Sequence, residues 1–419
     1  MNYVIIGNSS AAIGCIEGIR KVDQTNKITI ISDEPYHTYG RPLISYWLEA
    51  KVSDEKIYYR PEDFYTQNNC ELLLNETVTG INTSANTVLL ASGKSVSYDK
   101  LLIATGSRAF VPPMTGLETV TKQYTFMKYD DAKAIKASLT PDSKVLIIGA
   151  GLIGLKAAEG IYQTTQDITV VDLADRILPS ILDVEGSNMV QKHLENKGVK
   201  FILNDSVAQF TADTATLKSG AVLNFDMVII AVGVRPNVEL AKEAGLTVNK
   251  GIVVSSTQET SLPSIYAAGD CCESIDITTG EQKILALLPN AYMQGEVAGI
   301  CMAGGKKNYD KAIPMNAIGF FGLHMITAGT YDGEVVVTQN ADTYKKLVFK
   351  DGRLKGYILI GDVKRAGIYT SMIKEQTSML DVDMELLKDK PQMMLFSKTT
   401  RKEKLGGINS QLGGVGLGN

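Results

Sequence analysis

Short apolar runs, each closed by a glycine and followed by a stretch of small residues at helical spacing, set the rhythm of the first half of the chain. Val4-Ile5-Ile6-Gly7 leads into a helix predicted to about Arg20, and Ile28 to Ser32 reads as a second strand ending at Asp33-Glu34. Val145-Leu146-Ile147-Ile148-Gly149 repeats the arrangement, with a helix to about Gln163 and a strand from Ile168 to Val171 that ends at Asp172. Continuous apolar runs between turn residues suit strands buried on both faces, as in a parallel sheet.

The duplication extends further. Thr87 to Lys94 and Ala215 to Gly220 each read as a hairpin with a Ser-Gly turn, and each is followed by a buried-type strand, Tyr98 to Gly106 and Phe225 to Gly233. Two β-α-β units, each with a hairpin and a closing strand, predict two parallel-sheet domains of similar plan. From Gly319 the pattern changes to alternating strands, Glu334 to Thr338 and Lys345 to Phe349, with a hairpin at Lys350-Asp351-Gly352 and a helix near Ile368 to Glu375. That is an α+β arrangement. The 419 residues exceed what one hydrophobic core organises, in keeping with several domains.

Charge and cysteine usage narrow the function classes. A net charge of −4 gives no electrostatic reason to expect nucleic acid. The one basic cluster, Lys398, Arg401, Lys402 and Lys404, reads as a solvated face or as a dock for an acidic protein. No run approaches the ~18 apolar residues of a membrane helix. Met1 runs almost directly into a strand without a basic leader, so a cytoplasmic location is expected. The five cysteines are odd in number and lack CxxC spacing, which suggests neither a disulfide framework nor a metal site.

Gly149-x-Gly151-x-x-Gly154 follows a strand and opens a helix, the context that makes the pattern a dinucleotide fingerprint. The first glycine permits the turn, the second lets the backbone approach a pyrophosphate, the third permits close packing, and the helix N-terminus favours negative charge. Asp172 is placed to accept from a ribose 2′-OH, which favours NADH over NADPH, although Arg176 nearby suits a 2′-phosphate. The N-terminal copy departs from this, reading Gly7-x-Ser9-x-x-Ala12: Ala12 still permits packing, but Ser9 adds a side chain at the pyrophosphate. Glu34 supplies the ribose acid of this copy, and Ser264 to Asp270 adds a distant strand ending at an acid.

With these motifs, together with Ala104-Thr105-Gly106, Gly233-Val234-Arg235-Pro236-Asn237 and Ala267-Ala268-Gly269-Asp270, the chain resembles the FAD-dependent pyridine nucleotide-disulfide oxidoreductases over residues 1 to about 320. The resemblance implies an α/β fold of two nested Rossmann-like dinucleotide-binding domains, three-layer ββα in plan, plus a C-terminal α+β domain. FAD would be bound by residues 1–112 and 243–315, NAD(H) by 113–242. Residues 316–405 would form an interface domain and 406–419 a flexible tail. It also implies that Gly7, Ser9, Ala12, Glu34, Ala104, Thr105, Gly106 and Asp270 contact FAD, and that Gly149, Gly151, Gly154, Asp172 and Gly233 contact NAD(H).

Within that superfamily, Tyr39-Gly40-Arg41-Pro42 stands where other members carry a redox cysteine. It is similar to the corresponding segment of rubredoxin reductases, oxygenase ferredoxin reductases and the flavin portion of nitrite reductase, in which Arg41 and Pro42 would line the isoalloxazine. Pro289, at the start of a helix to about Met302, would bring that helix N-terminus to the flavin. Where many relatives pair a Lys near position 46 with a Glu near 156, this chain has Tyr46 and Lys156. Lys156 is the candidate for positive charge near flavin N5 and the nicotinamide, or else a structurally paired lysine. Phe320 or Phe321 is a flavin cover or a core aromatic. Cys271-Cys272 reads as buried thiols, and His37, His193 and His324 as structural. The function expected is NADH oxidation through FAD to a protein acceptor such as rubredoxin or a ferredoxin-like iron–sulfur protein. An oxygen-using NADH oxidase and an NADH-responsive interaction protein are the alternatives. A monomer and a homodimer fit equally.

Overall fold

The computed structural model describes residues 1–402. The tail placed at 406–419, the last residues of the domain placed at 316–405, and Lys404 lie outside the described residues. The chain forms two compact units: Met1–Asp276 with Gly280–Ala312, and Ile277–Thr279 with the chain from Ile313 onward. The break thus falls at Ala312/Ile313 rather than after 315, and three residues from the loop at 277 belong with the second unit.

Five helices matter below: α1 (Ser10–Arg20), α2 (Leu43–Leu48), α3 (Leu152–Ile161), α4 (Leu288–Met302) and α5 (Ala366–Lys374). The first unit holds two parallel five-stranded sheets. One has the order Ile265–Ala267, Lys100–Ile103, Tyr3–Ile6, Ile28–Ser32, Cys70–Leu74. The other has the order Lys200–Ile202, Ile168–Val171, Val145–Ile148, Met227–Ile230, Gln123–Tyr124. In both, the strand before the glycine turn is central, with the next strand of its β-α-β unit on one side and the closing strand on the other.

The period of two along a strand explains the layers. Tyr3, Ile5, Ile28 and Ile30 point into a core shared with α1 and α4, whereas Val4, Ile6, Leu101 and Ile103 pack against Val78, Val88 and Leu90 on the opposite face. Those last residues belong to an antiparallel meander, Val78–Asn82, Thr87–Leu90 and Ser95–Ser97, and its counterpart is Val207–Phe210, Thr214–Leu217 and Val222–Asn224. Each expected hairpin therefore gains a third strand. The added strand of each meander shifts register, between Val78 and Gly80 and between Val207 and Gln209, and such an irregularity blurs the alternation a sequence reading depends on.

The helix α1 runs against α4 at backbone contact. A Cβ on Gly14 or Gly18 would lie 2.2 and 2.3 Å from the carbonyl oxygens of Tyr292 and Glu296, and one on Gly295 or Gly299 would lie 1.9 and 2.1 Å from those of Ala11 and Cys15. Glycines at i and i+4 on both helices allow the approach.

The second unit is an antiparallel sheet ordered Met315–Phe320, Leu323–Gly329, Arg353–Ile360, Tyr344–Lys350, Glu334–Gln339. Tyr369, Met372 and Ile373 of α5 pack on Leu347, Tyr357 and Leu359. The hairpin at Asp351-Gly352 has positive φ at both residues, 53° and 64°, as a tight two-residue turn between twisted strands requires. Phe320 is 1% exposed.

Candidate dinucleotide sites

The first glycine turn is dictated by sterics. Gly7 has φ 110°, and a Cβ there would stand 2.2 Å from the carbonyl oxygen of Ala104 on the closing strand. Ser9 then caps α1 from extended backbone, and its side chain makes no capping bond. The turn opens on a cleft of about 320 Å³ whose wall includes Gly7, Ser9, Thr105, Gly106 and Asp270. Leu288 and Ala291, at the start of α4, line the same cleft, and the Ser10 hydroxyl donates to the Leu288 carbonyl at 3.3 Å. Two helix N-termini thus serve one cavity. Their free N–H groups and dipoles make it a site for a phosphate-bearing ligand.

Asp270 lies opposite, accepting from the Ser107 hydroxyl at 3.2 Å. Burial pushes its carboxyl above the usual range, opposed by the Ser107 hydrogen bond and the Arg41 charge. Thr105 donates to the Asn237 carbonyl, and the Asn237 amide returns a bond to the Thr105 carbonyl, both at 2.8 Å. This stitches the strand ends where Ser107–Ala109 and Val234–Pro236 pair as a ribbon between the two sheets.

Other expected residues are also engaged within the fold itself. Glu34 is 7% exposed, and its carboxylate already pairs with Arg41 and accepts from the Tyr39 hydroxyl at 2.6 Å. It lines the cleft and anchors Arg41 there. Pro42 is the residue that starts α2, and Pro289 sits in the first turn of α4; neither lines the cleft. Proline suits these positions because they need no N–H donor. Ala12 is fully buried in the core, consistent with a packing role.

The second turn repeats the geometry. Gly149 has φ 111° and would place a Cβ 2.4 Å from the Ala231 carbonyl oxygen; one on Gly154 would lie 2.0 Å from that of Gly149. A Cβ on Gly151, the residue capping α3, would meet nothing within 4 Å. Asp172 accepts from the backbone N–H of Ala150 at 2.6 Å and of Ala174 at 2.8 Å, so the acid at the end of the second strand also fastens the glycine turn. Gly233, at φ 120°, accepts from the Phe110 N–H at 2.9 Å where the ribbon leaves the second sheet. Arg176 pairs with Asp175.

Lys156 points from α3 toward α2. Its ammonium pairs with Glu159, a residue 4% exposed, and lies 4.3 Å from the centre of the Tyr46 ring. The two positions that many relatives are said to pair are in contact here, as a cation–π pair. Lys156 is not part of the cleft wall. Cys271 and Cys272 are buried free thiols, raised by burial and held in the core behind Asp270. The structure adds two features the motifs did not reveal: Ser107 as partner of Asp270, and the four helix-crossing glycines. The i, i+4 spacing of Gly14/Gly18 and Gly295/Gly299 was the signal for the latter.

A family model described as pyridine nucleotide-disulphide oxidoreductase matches residues 1–295, and one for the rubredoxin NAD+ reductase C-terminal domain matches 314–377. The chain belongs to this pyridine nucleotide-disulphide oxidoreductase family. It is an oxidoreductase of a family that binds FAD and NAD(H). The oxidoreductase is 30% identical over 390 residues to the epsilon subunit of NADH-dependent phenylglyoxylate dehydrogenase from Aromatoleum evansii, covering 90% of this chain and 92% of that one. It is 32% identical to the assimilatory nitrate reductase electron transfer subunit of Bacillus subtilis over 89% of its own length, and spans 49% of that longer protein. Among solved structures, NADH:rubredoxin oxidoreductase from Clostridium acetobutylicum is similar at 27% identity and TM-score 0.73, with 90% and 96% of the two chains covered. Among the described residues, no helix is long and apolar enough to cross a membrane.

Proposed function

We propose that this oxidoreductase carries electrons from NADH through FAD to a small redox protein, a rubredoxin or a ferredoxin-like iron–sulfur protein. The observation that carries the reading is the cleft wall: among the described residues no cysteine lines it, and by the family resemblance Tyr39, just before Gly40-Arg41-Pro42, takes the place of the redox cysteine through which other members pass electrons to a disulfide or peroxide. The rubredoxin-reductase type of C-terminal domain supports the same acceptor class.

The first cleft fits FAD because its glycine turn, its two helix N-termini and Asp270 converge on one cavity. Bound there, FAD supplies the exchange between two-electron and one-electron chemistry. The residues from 1–112 and 243–315 are the FAD-binding part in this reading. Ser9 and the α1 and α4 N-termini hold the pyrophosphate, and Asp270 with Ser107 orients the ribityl side. Residues 113–242 bind NADH, with Gly151 giving the pyrophosphate access to the α3 N-terminus and Asp172 facing the ribose. Lys156, steadied by Glu159 and Tyr46, adds positive charge on the nicotinamide side. Lys156→Ala is expected to slow flavin reduction at saturating NADH, and an unchanged stopped-flow rate would remove that role. We place the reaction in the cytoplasm, where the five free cysteines stay reduced.

The test is NADH-driven turnover of one FAD-replete preparation, comparing anaerobic reduction of rubredoxin and ferredoxin with oxygen consumption in air. Reduction of an iron protein at a kcat/KM well above that for oxygen, and falling with salt, is the expected result. Dominant oxygen consumption would replace the reading with an NADH oxidase, and negligible turnover with all acceptors would favour an NADH-responsive binding protein.

A further inference from the structure

The C-terminal unit carries a cleft of its own, of about 410 Å³, which none of the dinucleotide motifs reaches. The turn after the edge strand Glu334–Gln339 forms one wall. It is pressed so closely on Gly361 that a Cβ there would lie 2.3 Å from the Asp342 carbonyl oxygen. The segment 387–391 forms another wall, tied down where the Tyr369 hydroxyl donates to the Leu387 carbonyl at 2.8 Å.

Four cations line this space, Lys345, Lys364, Arg365 and Lys390, against two carboxylates, Asp362 and Asp389. Main-chain carbonyls, not acids, hold two of these cations. The Lys345 ammonium donates to the carbonyls of Lys388 and Asp389 at 2.6 and 2.8 Å, and Arg365 Nη1 to those of Lys390 and Pro391 at 3.3 Å. Such bonds fix position without cancelling charge. Burial lowers the Lys345 ammonium below the usual lysine range, partly offset by Asp389 and Asp362. Asp362 accepts from the backbone N–H of Lys364, at 3.2 Å, not from its ammonium. Arg365 Nε and Nη2 and the ammonium groups of Lys364 and Lys390 have no partner among the described residues. Arg365 also holds a left-handed backbone, φ 65°, which is strained for a non-glycine residue and persists only where surrounding contacts enforce it.

We propose that this cleft binds a compact polyanion, a small molecule bearing two or more phosphate or carboxylate groups. An arginine fork with open donors matches either oxyanion bidentately, while the lysines act as point charges around it. The volume lies in the range of small-molecule pockets, roughly 300–1,000 Å³, and is too small for a folded partner.

The experiment is calorimetric titration of the FAD-loaded enzyme, with NAD+ saturating the dinucleotide site, using inorganic pyrophosphate and citrate as probes. Saturable one-to-one binding that weakens with salt is expected, with at least about a tenfold loss in a Lys364→Gln/Lys390→Gln double variant of unchanged FAD content. Tighter pyrophosphate identifies a phosphate ligand, and tighter citrate a polycarboxylate. Two results would each overturn the proposal: no saturable binding of either probe, or equal binding by the double variant.

Discussion

The two glycine turns are near copies that differ at one instructive place. Gly7 and Gly149 have almost the same φ, 110° and 111°, and in both a Cβ would strike the carbonyl oxygen of the closing strand. At the middle position the copies part: Gly151 faces open space, and Ser9 stands where that glycine would be. The fold therefore demands the first glycine, and no close contact within the fold demands the second. A further difference lies beyond the turns. The N-terminus of α1 is joined by that of α4, which glycines bring to backbone contact, whereas α3 packs on the short α2 through Gly160, Leu48 and Ser45. Two helix ends suit a cofactor that stays bound; one suits a dinucleotide that comes and goes.

The sharpest break is expected at the first glycines. Gly7→Ala and Gly149→Ala each combine a positive φ with a contact near 2 Å to backbone that cannot move aside, so each should cost about 3 kcal/mol or more. Thermal melts and FAD content measure it. Gly7→Ala should lose FAD, and Gly149→Ala should lose NADH-dependent flavin reduction before it loses FAD. If both variants melt and bind like the parent, the steric account of the turns is wrong.

Ser9 gives a smaller and more selective effect. Its hydroxyl makes no capping bond and lies on the cleft wall, leaving a donor for a bound pyrophosphate. Ser9→Ala should weaken FAD binding roughly tenfold or more, about the worth of one hydrogen bond to a charged group, with little change in the melting of FAD-free protein. Gly151→Ser should instead raise KM for NADH and leave FAD untouched. Tighter FAD binding by Ser9→Ala would mean that the hydroxyl crowds the site.

How much of this was legible follows from range. The strands around Val4 and Val145, the glycine turns and the acids at the strand ends are local patterns, and they stand where the sequence places them. The C-terminal hairpin at Asp351-Gly352 was equally readable, because its turn chemistry is contained in two residues. Contacts across long separations were not. Nothing near Glu34 announces that Arg41 and Tyr39 occupy its carboxylate, and nothing near Asp270 points to Ser107, more than 160 positions earlier. Lys156 falls between: its i,i+3 pairing with Glu159 is local to α3, but its contact with Tyr46 depends on how α2 covers that face. The meander strands beginning at Val78 and Val207 were missed because their register shifts break the period of two.

The finest comparison concerns the acids of the two sites. Asp172 is satisfied by two backbone N–H groups, whereas Asp270 has one hydroxyl partner and a buried carboxyl raised above its usual value of 3.8. In FAD-free protein the folded state then holds the Asp270 proton more tightly than the unfolded chain does. Between the unfolded value and the raised folded value the native state binds more protons, so stability falls as pH rises through that window and the full cost remains above it. Asp270→Asn removes the ionisation while keeping an acceptor for Ser107. It should raise the melting temperature of FAD-free protein by a few degrees near neutral pH and leave it unchanged well below pH 3.8, where the aspartate is protonated in both states. The same variant should bind FAD more weakly, since an amide is the poorer partner for ribityl hydroxyls. A gain in stability with a loss in affinity would mark Asp270 as a group held at a folding cost for the cofactor, while an equal loss in both would make it an acid that the fold itself needs.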